Sequence, residues 1–289
     1  MEKLQTWRSK KHLKNFLKLI ITVWALYYVF HHIDLYALLH ILKTSHAGLL
    51  FLAFLAFNAS KIVSAIRLNR YFRALGIFLT EGKNILLYYF GMFYNLFLPG
   101  GISGDGYKIY ILAKRYNSSY KRLFGATLLD RISGLSALLF LAGVLFTFST
   151  FTALSSLLLY LVWFGILLTI PANYFMTRKF FPDFLSIFKS TTLLAFVVQL
   201  LQLFSAALIV WALPQTDASL VDYLTLFLIS SVVAVLPVSI GGIGVRELTF
   251  LYGFGLIGED ATPAVTFSLI FFLITALSSL MGAFVKNDF

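Results

Sequence analysis

Apolar runs close to the roughly 20 residues that an α-helix needs to cross a hydrocarbon core recur through this chain, and they constrain its fold more than any motif does. They occupy 16–33, 47–66, 123–148, 151–171, 190–213 and 262–285. Of the 289 residues, 60% are hydrophobic and 12% charged, more apolar surface than a soluble core hides. The expected class is therefore all-α: a polytopic membrane protein with about six spanning helices. No hydrophilic block has the length of a separate soluble domain, so residues 1–289 read as a single integral membrane domain.

The basic residues orient that layout. With the N-terminus cytoplasmic, all of the 23 lysines and arginines except Lys43, Arg131 and Arg246 fall on the cytoplasmic side, the positive-inside bias. The opposite loops carry Asp34, Asp217, Asp222, Glu259 and Asp260. The expected location is thus the cytoplasmic cell membrane, multi-pass. The net charge of +11 follows the ends of the apolar runs, as topology signals and anionic-lipid contacts do, which argues against a nucleic-acid partner. Lys61, Arg67, Arg70 and Arg73 fit the same pattern, as side chains reaching the headgroup level.

Two further apolar stretches, 84–98 and 222–238, are short, and each ends in Leu-Pro followed by glycines. Each reads as the first arm of a re-entrant helical hairpin broken at Pro99 or Pro237, with 105–113 and 245–257 as return arms. Exposed backbone groups cost several kcal/mol each in hydrocarbon, so such breaks must be buried in protein or line a wet cavity. The breaks "LPGGISG" (98–104) and "LPVSIGG" (236–242) align, and the hairpins enter from opposite sides. Residues 47–148 and 190–285 then form an inverted-topology repeat.

The polar residues at these breaks are the candidate binding groups. Gly101, Gly104, Gly241, Gly242 and Gly244 free the backbone at the turns, and a helix restarting there points N–H donors at an anion. Arg246 adds a forked permanent cation suited to phosphate or carboxylate, and Glu247 orients it or meets a cationic headgroup. Asp105 caps the first return arm, with Lys108 three residues on, and Asn95 satisfies turn backbone just before the break. Asp130 and Arg131 lie two turns into a span; adjacent residues point about 100° apart, so at least one finds its partner on another helix. His31, His32, His40 and His46 lack carboxylate or cysteine companions at metal spacing, so no metal site is expected. Nor do the residues form a Ser-His-Asp set, a nucleotide loop or a catalytic carboxylate pair, so neither an enzyme nor a cofactor is expected.

"FYNLFLPGGISGDGYKIYIL", "LLDRISGL" and "LPVSIGGIGVREL" resemble the three motif blocks of the lysylphosphatidylglycerol synthase transmembrane region family, whose members are flippase-like integral membrane proteins. The last block, with Gly241, Gly242, Gly244, Arg246 and Glu247, carries the resemblance furthest. Family members commonly have glutamate where this chain has Asp105 and Asp130, and proline where Ser239 stands. The resemblance implies lipid translocation without the soluble synthase domain of the bifunctional members. The expected cargo is an anionic or aminoacylated phospholipid, or a polyprenyl-phosphate-linked lipid. The alternative is a non-transporting membrane partner of a glycosyltransferase or lipid-modifying enzyme.

Overall fold

A computed structural model of the protein describes residues 43–97, 103–213, 218–235, 245–260 and 262–285. The first expected span, 16–33, lies outside the described residues, as do Pro99, Gly101, Pro237, Gly241, Gly242 and Gly244. The described residues form nine α-helices, joined in places by short 3₁₀ turns, and contain no strand. Five helical stretches are long and apolar enough to cross a membrane, matching the remaining five expected spans within a few residues at most ends. The chain is a multi-pass α-helical membrane protein.

α1 (Ala47–Ala74) is the longest of the nine and outruns the expected 47–66 by two turns. Its stop is chemical. Gly76 takes φ +80°, and the amides of Gly76 and Ile77 close back onto the carbonyls of Arg73 and Phe72, both at 3.0 Å. Glycine reaches that left-handed conformation without a Cβ penalty, and Ile77 then packs under Phe72. The extra turns matter because they carry Arg67 into the protein rather than out to its rim.

α2 (Glu81–Phe97) and α3 (Ser103–Tyr116) form one antiparallel pair. At about 1.5 Å per residue their 17 and 14 residues reach about 26 and 21 Å, short of a bilayer's roughly 30 Å. They cross closely at Gly91 and Gly104: a Cβ on Gly104 would run into the Gly91 backbone. The rings of Phe90 and Tyr107 pack at a tilt beside that crossing, with centroids 5.1 Å apart. α4 (Tyr120–Phe146) and α5 (Ser156–Phe180) follow, then α6 (Phe188–Ala212). α6 runs antiparallel to α1; the His46 amide donates to the Ala212 carbonyl (3.1 Å) and Ser205 Oγ to the Ala53 carbonyl (2.8 Å).

α7 (Leu220–Val235) and α8 (Val245–Ile257) make the second antiparallel pair, with Gly253 admitting the Leu226 side chain. α9 (Thr262–Leu280) continues into a 3₁₀ turn at Met281–Phe284, where Gly282 lies against the Tyr89 carbonyl of α2.

The two pairs start from opposite ends of the bundle. Arg73–Glu81 (2.6 Å) and Arg122–Asp183 (3.1 Å) mark a basic end, where α1 finishes and α2 begins. At the other end Asp222, in the first turn of α7, accepts from the amide (2.8 Å) and hydroxyl (2.7 Å) of Thr150. Two cores follow. Near the basic end, Leu68, Phe72, Leu87, Phe90, Leu112 and Leu129 bury around the first pair. Around the second pair an aromatic stack of Tyr223, Phe227, Phe250, Phe254, Phe267 and Phe271 fills the interior. α5 packs mainly on α4 and turns Leu157, Tyr160, Leu161, Phe164 and Leu167 outward, which suits a lipid-facing helix.

Candidate functional site

Where the first helix pair meets α1 and α4, the packing leaves a cavity of about 160 Å³. Its walls are Arg67, Tyr88, Met92, Asn95, Asp105, Lys108, Thr127, Asp130 and Arg131. The volume is close to the ~150 Å³ of an engineered cavity that takes up benzene, enough for a phosphate-sized group. Unlike that cavity, this one is lined by charge.

Four helices contribute, and each charged side chain has a local reason to be there. Arg131 is 11 residues into α4, about 17 Å along its axis and so near the middle of the bundle. Asp130 and Arg131 point apart, as the helical period requires, and each finds its partner on a different helix. Asp130 takes both of its bonds from Arg67 of α1: Nε to Oδ1 at 2.7 Å and Nη2 to Oδ2 at 3.2 Å. Arg131 bonds Asp105 of α3, its Nε lying 2.6 Å from Oδ2. Asp105 is also held by Lys108 Nζ at 2.6 Å, one turn along α3. One carboxylate therefore sits between two cations, and the other is gripped by a guanidinium fork.

The start of α3 is equally occupied. Asn95 Oδ1 accepts from the Gly104 amide at 2.8 Å, and Asn95 Nδ2 donates to Asp105 Oδ1 at 3.3 Å. Two donors at this helix start, expected to face an anion, are thus spent on Asn95 Oδ1, the Asp105 amide reaching it at 3.4 Å. Glycines clear space for the long cations. Lys108 runs across the face of Gly91, where a Cβ would lie 2.7 Å from its Cε. Gly134 lies beneath the Arg67 guanidinium, 3.2 Å from Nη2 to a built Cβ.

Arg67 corrects the sequence reading. Its neighbourhood of basic residues suggested a side chain among headgroups; it is 5% exposed and locked to Asp130. The cause is the length of α1, which places Arg67 two turns inside its end. Arg73 does reach the rim, where it pairs with Glu81. Lys61 also lies inside, its Nζ 4.3 Å from the Phe57 ring centroid, at the middle of α1 rather than at a headgroup. Tyr88, Met92 and Thr127 carry no sequence signal that separates them from lipid-facing neighbours. The bounding glycine Gly76 is the one signal that α1 outruns its apolar run.

Arg246 and Glu247, at the start of α8, send their side chains to different helices. Arg246 Nη1 donates to Ser231 Oγ at 3.2 Å, and its guanidinium lies over the rings of Phe271 and Phe227, at 5.2 and 5.9 Å. Glu247 Oε1 accepts from Ser268 Oγ of α9 at 3.1 Å. Neither lines the first cavity, so the structure divides the expected site residues into two groups, one for each helix pair.

In the first cavity Arg67, Lys108 and Arg131 outnumber Asp105 and Asp130. One donor is left over: Arg67 Nη1 is buried and has no hydrogen-bond partner. Each carboxylate, in contrast, is engaged on both oxygens. The arrangement can accept one more hydrogen-bond acceptor with negative charge and has little to offer a cation.

The family model for the lysylphosphatidylglycerol synthase TM region matches residues 15–282. The chain belongs to that family. No curated protein matches it. The match takes in both helix pairs and every charged residue described above, so the cavity is built from the part of the chain that defines the lysylphosphatidylglycerol synthase TM region. Membership assigns a lipid-related membrane role; the choice of lipid rests with the site.

Proposed function

We infer that this protein moves a phosphate-bearing lipid between the leaflets of the cytoplasmic membrane, with its N-terminus on the cytoplasmic side. The headgroup enters the cavity beside Arg67 and Arg131 while the acyl or prenyl tails stay in the bilayer. The observation that carries this reading is the buried, unpartnered Arg67 Nη1 at a cavity with excess positive charge. Charges inside membrane proteins are costly and mark pathways, and a buried donor without a partner beside a cavity is a group that a bound ligand can satisfy.

The helix pairs serve as re-entrant hairpins in this reading. Neither arm of either pair spans about 30 Å, and the pairs start from opposite ends. The two halves also repeat local chemistry. Setting Leu98 against Leu236 brings Lys108 opposite Arg246 and Asp130 opposite Ser268. Both return arms close on a left-handed residue, Asn117 (φ 48°) and Gly258 (φ 75°). In each the next amide bonds back five residues at 3.1 Å, Ser118 to Ala113 and Glu259 to Phe254. Rocking of one half against the other then opens the cavity to alternate leaflets.

The test uses the full chain in vesicles with a fluorescent phospholipid on the inner leaflet, and a membrane-impermeant quencher reporting arrival outside. Wild type should speed exchange, and Arg67→Gln should slow it by about tenfold, the effect of about 1.4 kcal/mol. Exchange no faster than in protein-free vesicles, for every phosphate lipid tried, would leave the docking of a lipid-modifying enzyme as the better account.

A further inference from the structure

The two carboxylates of the first cavity are held in different ways. Asp130 depends on one residue: both of its oxygens take their bonds from Arg67, and the two side chains are 10% and 6% exposed. Parting them strands two buried charges. Asp105 has two cations, and they divide its oxygens. Oδ1 accepts from Lys108 Nζ at 2.6 Å and from Asn95 Nδ2 at 3.3 Å. Oδ2 accepts from Nε and Nη2 of Arg131. If Arg131 leaves, one oxygen is emptied while Lys108 still balances the carboxylate charge.

Access separates the same cations. The Lys108 side chain is 5% exposed, laid across Gly91 with its ammonium 5.2 Å from the Tyr88 ring centroid. Packed on both sides, it stays on Asp105. The Arg131 side chain is 38% exposed and lines the same cavity. It belongs to α4, whereas Asn95, Asp105 and Lys108 belong to the first helix pair, so its bond to Asp105 joins two separate elements. A phosphate oxygen offers a guanidinium fork the same charge-assisted bonds that a carboxylate does.

We propose that Arg131 is the exchangeable cation of the site, trading Asp105 for an anionic oxygen of the incoming headgroup, and that Lys108 is the positioning residue that holds the carboxylate Arg131 leaves. Arg67, fixed on Asp130, supplies only its open Nη1. Asp105 is then a resident competitor for the arginine. It keeps the headgroup loosely bound, as release on the far leaflet requires. Without Lys108, Arg131 would be the one cation left on a carboxylate that is 11% exposed, and it would stay there. The inference rests on the reading of the cavity as a phosphate-headgroup site, and it gives Arg131, Lys108 and Asp105 separate parts in it.

Phenylglyoxal modifies accessible guanidinium groups, and a bond to carboxylate or phosphate protects them. The full chain in detergent is labelled and the rate at each arginine read by mass spectrometry, alone and with dihexanoyl phosphatidylglycerol or inorganic phosphate. In wild type Arg131 should label and Arg67 should not, and the lipid should slow Arg131 about threefold or more. Asp105→Asn should speed labelling of Arg131 about threefold or more, and Lys108→Met should slow it by as much, whereas general loosening of the fold would speed both. Added to Asp105→Asn, Lys108→Met should change the rate less than about twofold, because Lys108 acts through the carboxylate. Protection by the lipid where inorganic phosphate gives none assigns the place to a lipid headgroup; equal protection assigns it to a free anion, and either keeps the exchange. Single changes that move the rate the same way overturn the proposal, as does a Lys108→Met effect undiminished without Asp105. So does an Arg131 that neither probe protects, in wild type and in Asp105→Asn alike. Should Asp105→Asn not fold, the Lys108→Met rate and the protection of wild type decide. Leaflet exchange that fails beside a protected Arg131 and opposite shifts removes transport and keeps this inference; exchange that proceeds while Arg131 labels equally with and without probe does the reverse.

Discussion

Asp130→Asn keeps the shape of the side chain and removes only its charge, so it isolates what the Arg67–Asp130 pair contributes. In the wild type two guanidinium nitrogens, Nε and Nη2, reach the carboxylate at 2.7 and 3.2 Å, and the third, Nη1, has no partner. An amide accepts one of those bonds and sets an NH₂ donor against the other. Arg67, 5% exposed, cannot swing to water to recover the loss. Breaking a buried pair from one side costs about 3–5 kcal/mol, and an arginine at the centre of a membrane helix costs about 2.5–3.5 kcal/mol on insertion scales. The two ranges meet near 3 kcal/mol, roughly a 150-fold shift in the unfolding equilibrium. Reversible unfolding in mixed micelles measures it. Arg67→Met combined with Asp130→Leu should cost less than either single change, because no uncompensated charge remains. An Asp130→Asn variant within about 1 kcal/mol of wild type, or a double variant worse than both singles, would refute the buried-pair argument.

Other expectations follow from particular contacts. Gly104→Ala drives a methyl into the Gly91 backbone, which cannot rotate away, so the protein should lose about 1–3 kcal/mol in thermal or denaturant melts while Gly106→Ala, in open space, should not. Asp222→Ala removes both bonds to Thr150 at 2.7 and 2.8 Å and should cost about 2 kcal/mol in the same melts. The chain has no cysteine, so Asp183→Cys and Glu259→Cys can each be labelled alone; an impermeant maleimide added to intact cells should reach the second and not the first. Labelling of both from one side would contradict the topology.

Much of the frame was written in the sequence as length and composition. The spans at 123–148 and 190–213 are apolar along most of their length, Asp130 and Arg131 being the only charged residues in either, and the structure sets helices there with ends moved by three residues or fewer. At 151–171 the boundary failed because Thr150–Leu154 is as apolar as the helix after it, yet winds as a 3₁₀ turn before Ser155 caps α5 through the Leu158 amide. For the site, adjacency of Asp130 and Arg131 was enough to require partners elsewhere. Which helices would supply them was not legible, since Arg67 lies 63 residues away in a run of basic residues that reads as a rim. The same gap hid Lys61. Charge on a helix becomes interior charge only once the helix's true length is known, and that length was set by one turn at Gly76.

Gly282 touches the carbonyl of Tyr89, and this contact sets a schedule for assembly. The arm carrying Tyr89 leaves the ribosome roughly 190 residues before the turn that clasps it, a wait of about 10–40 s at ordinary synthesis rates. During that interval the first helix pair and its charged residues stand in the bilayer or translocon without their closing neighbour. Nascent chains stalled before Gly282 should therefore be open to protease at the first helix pair, and completed ones closed.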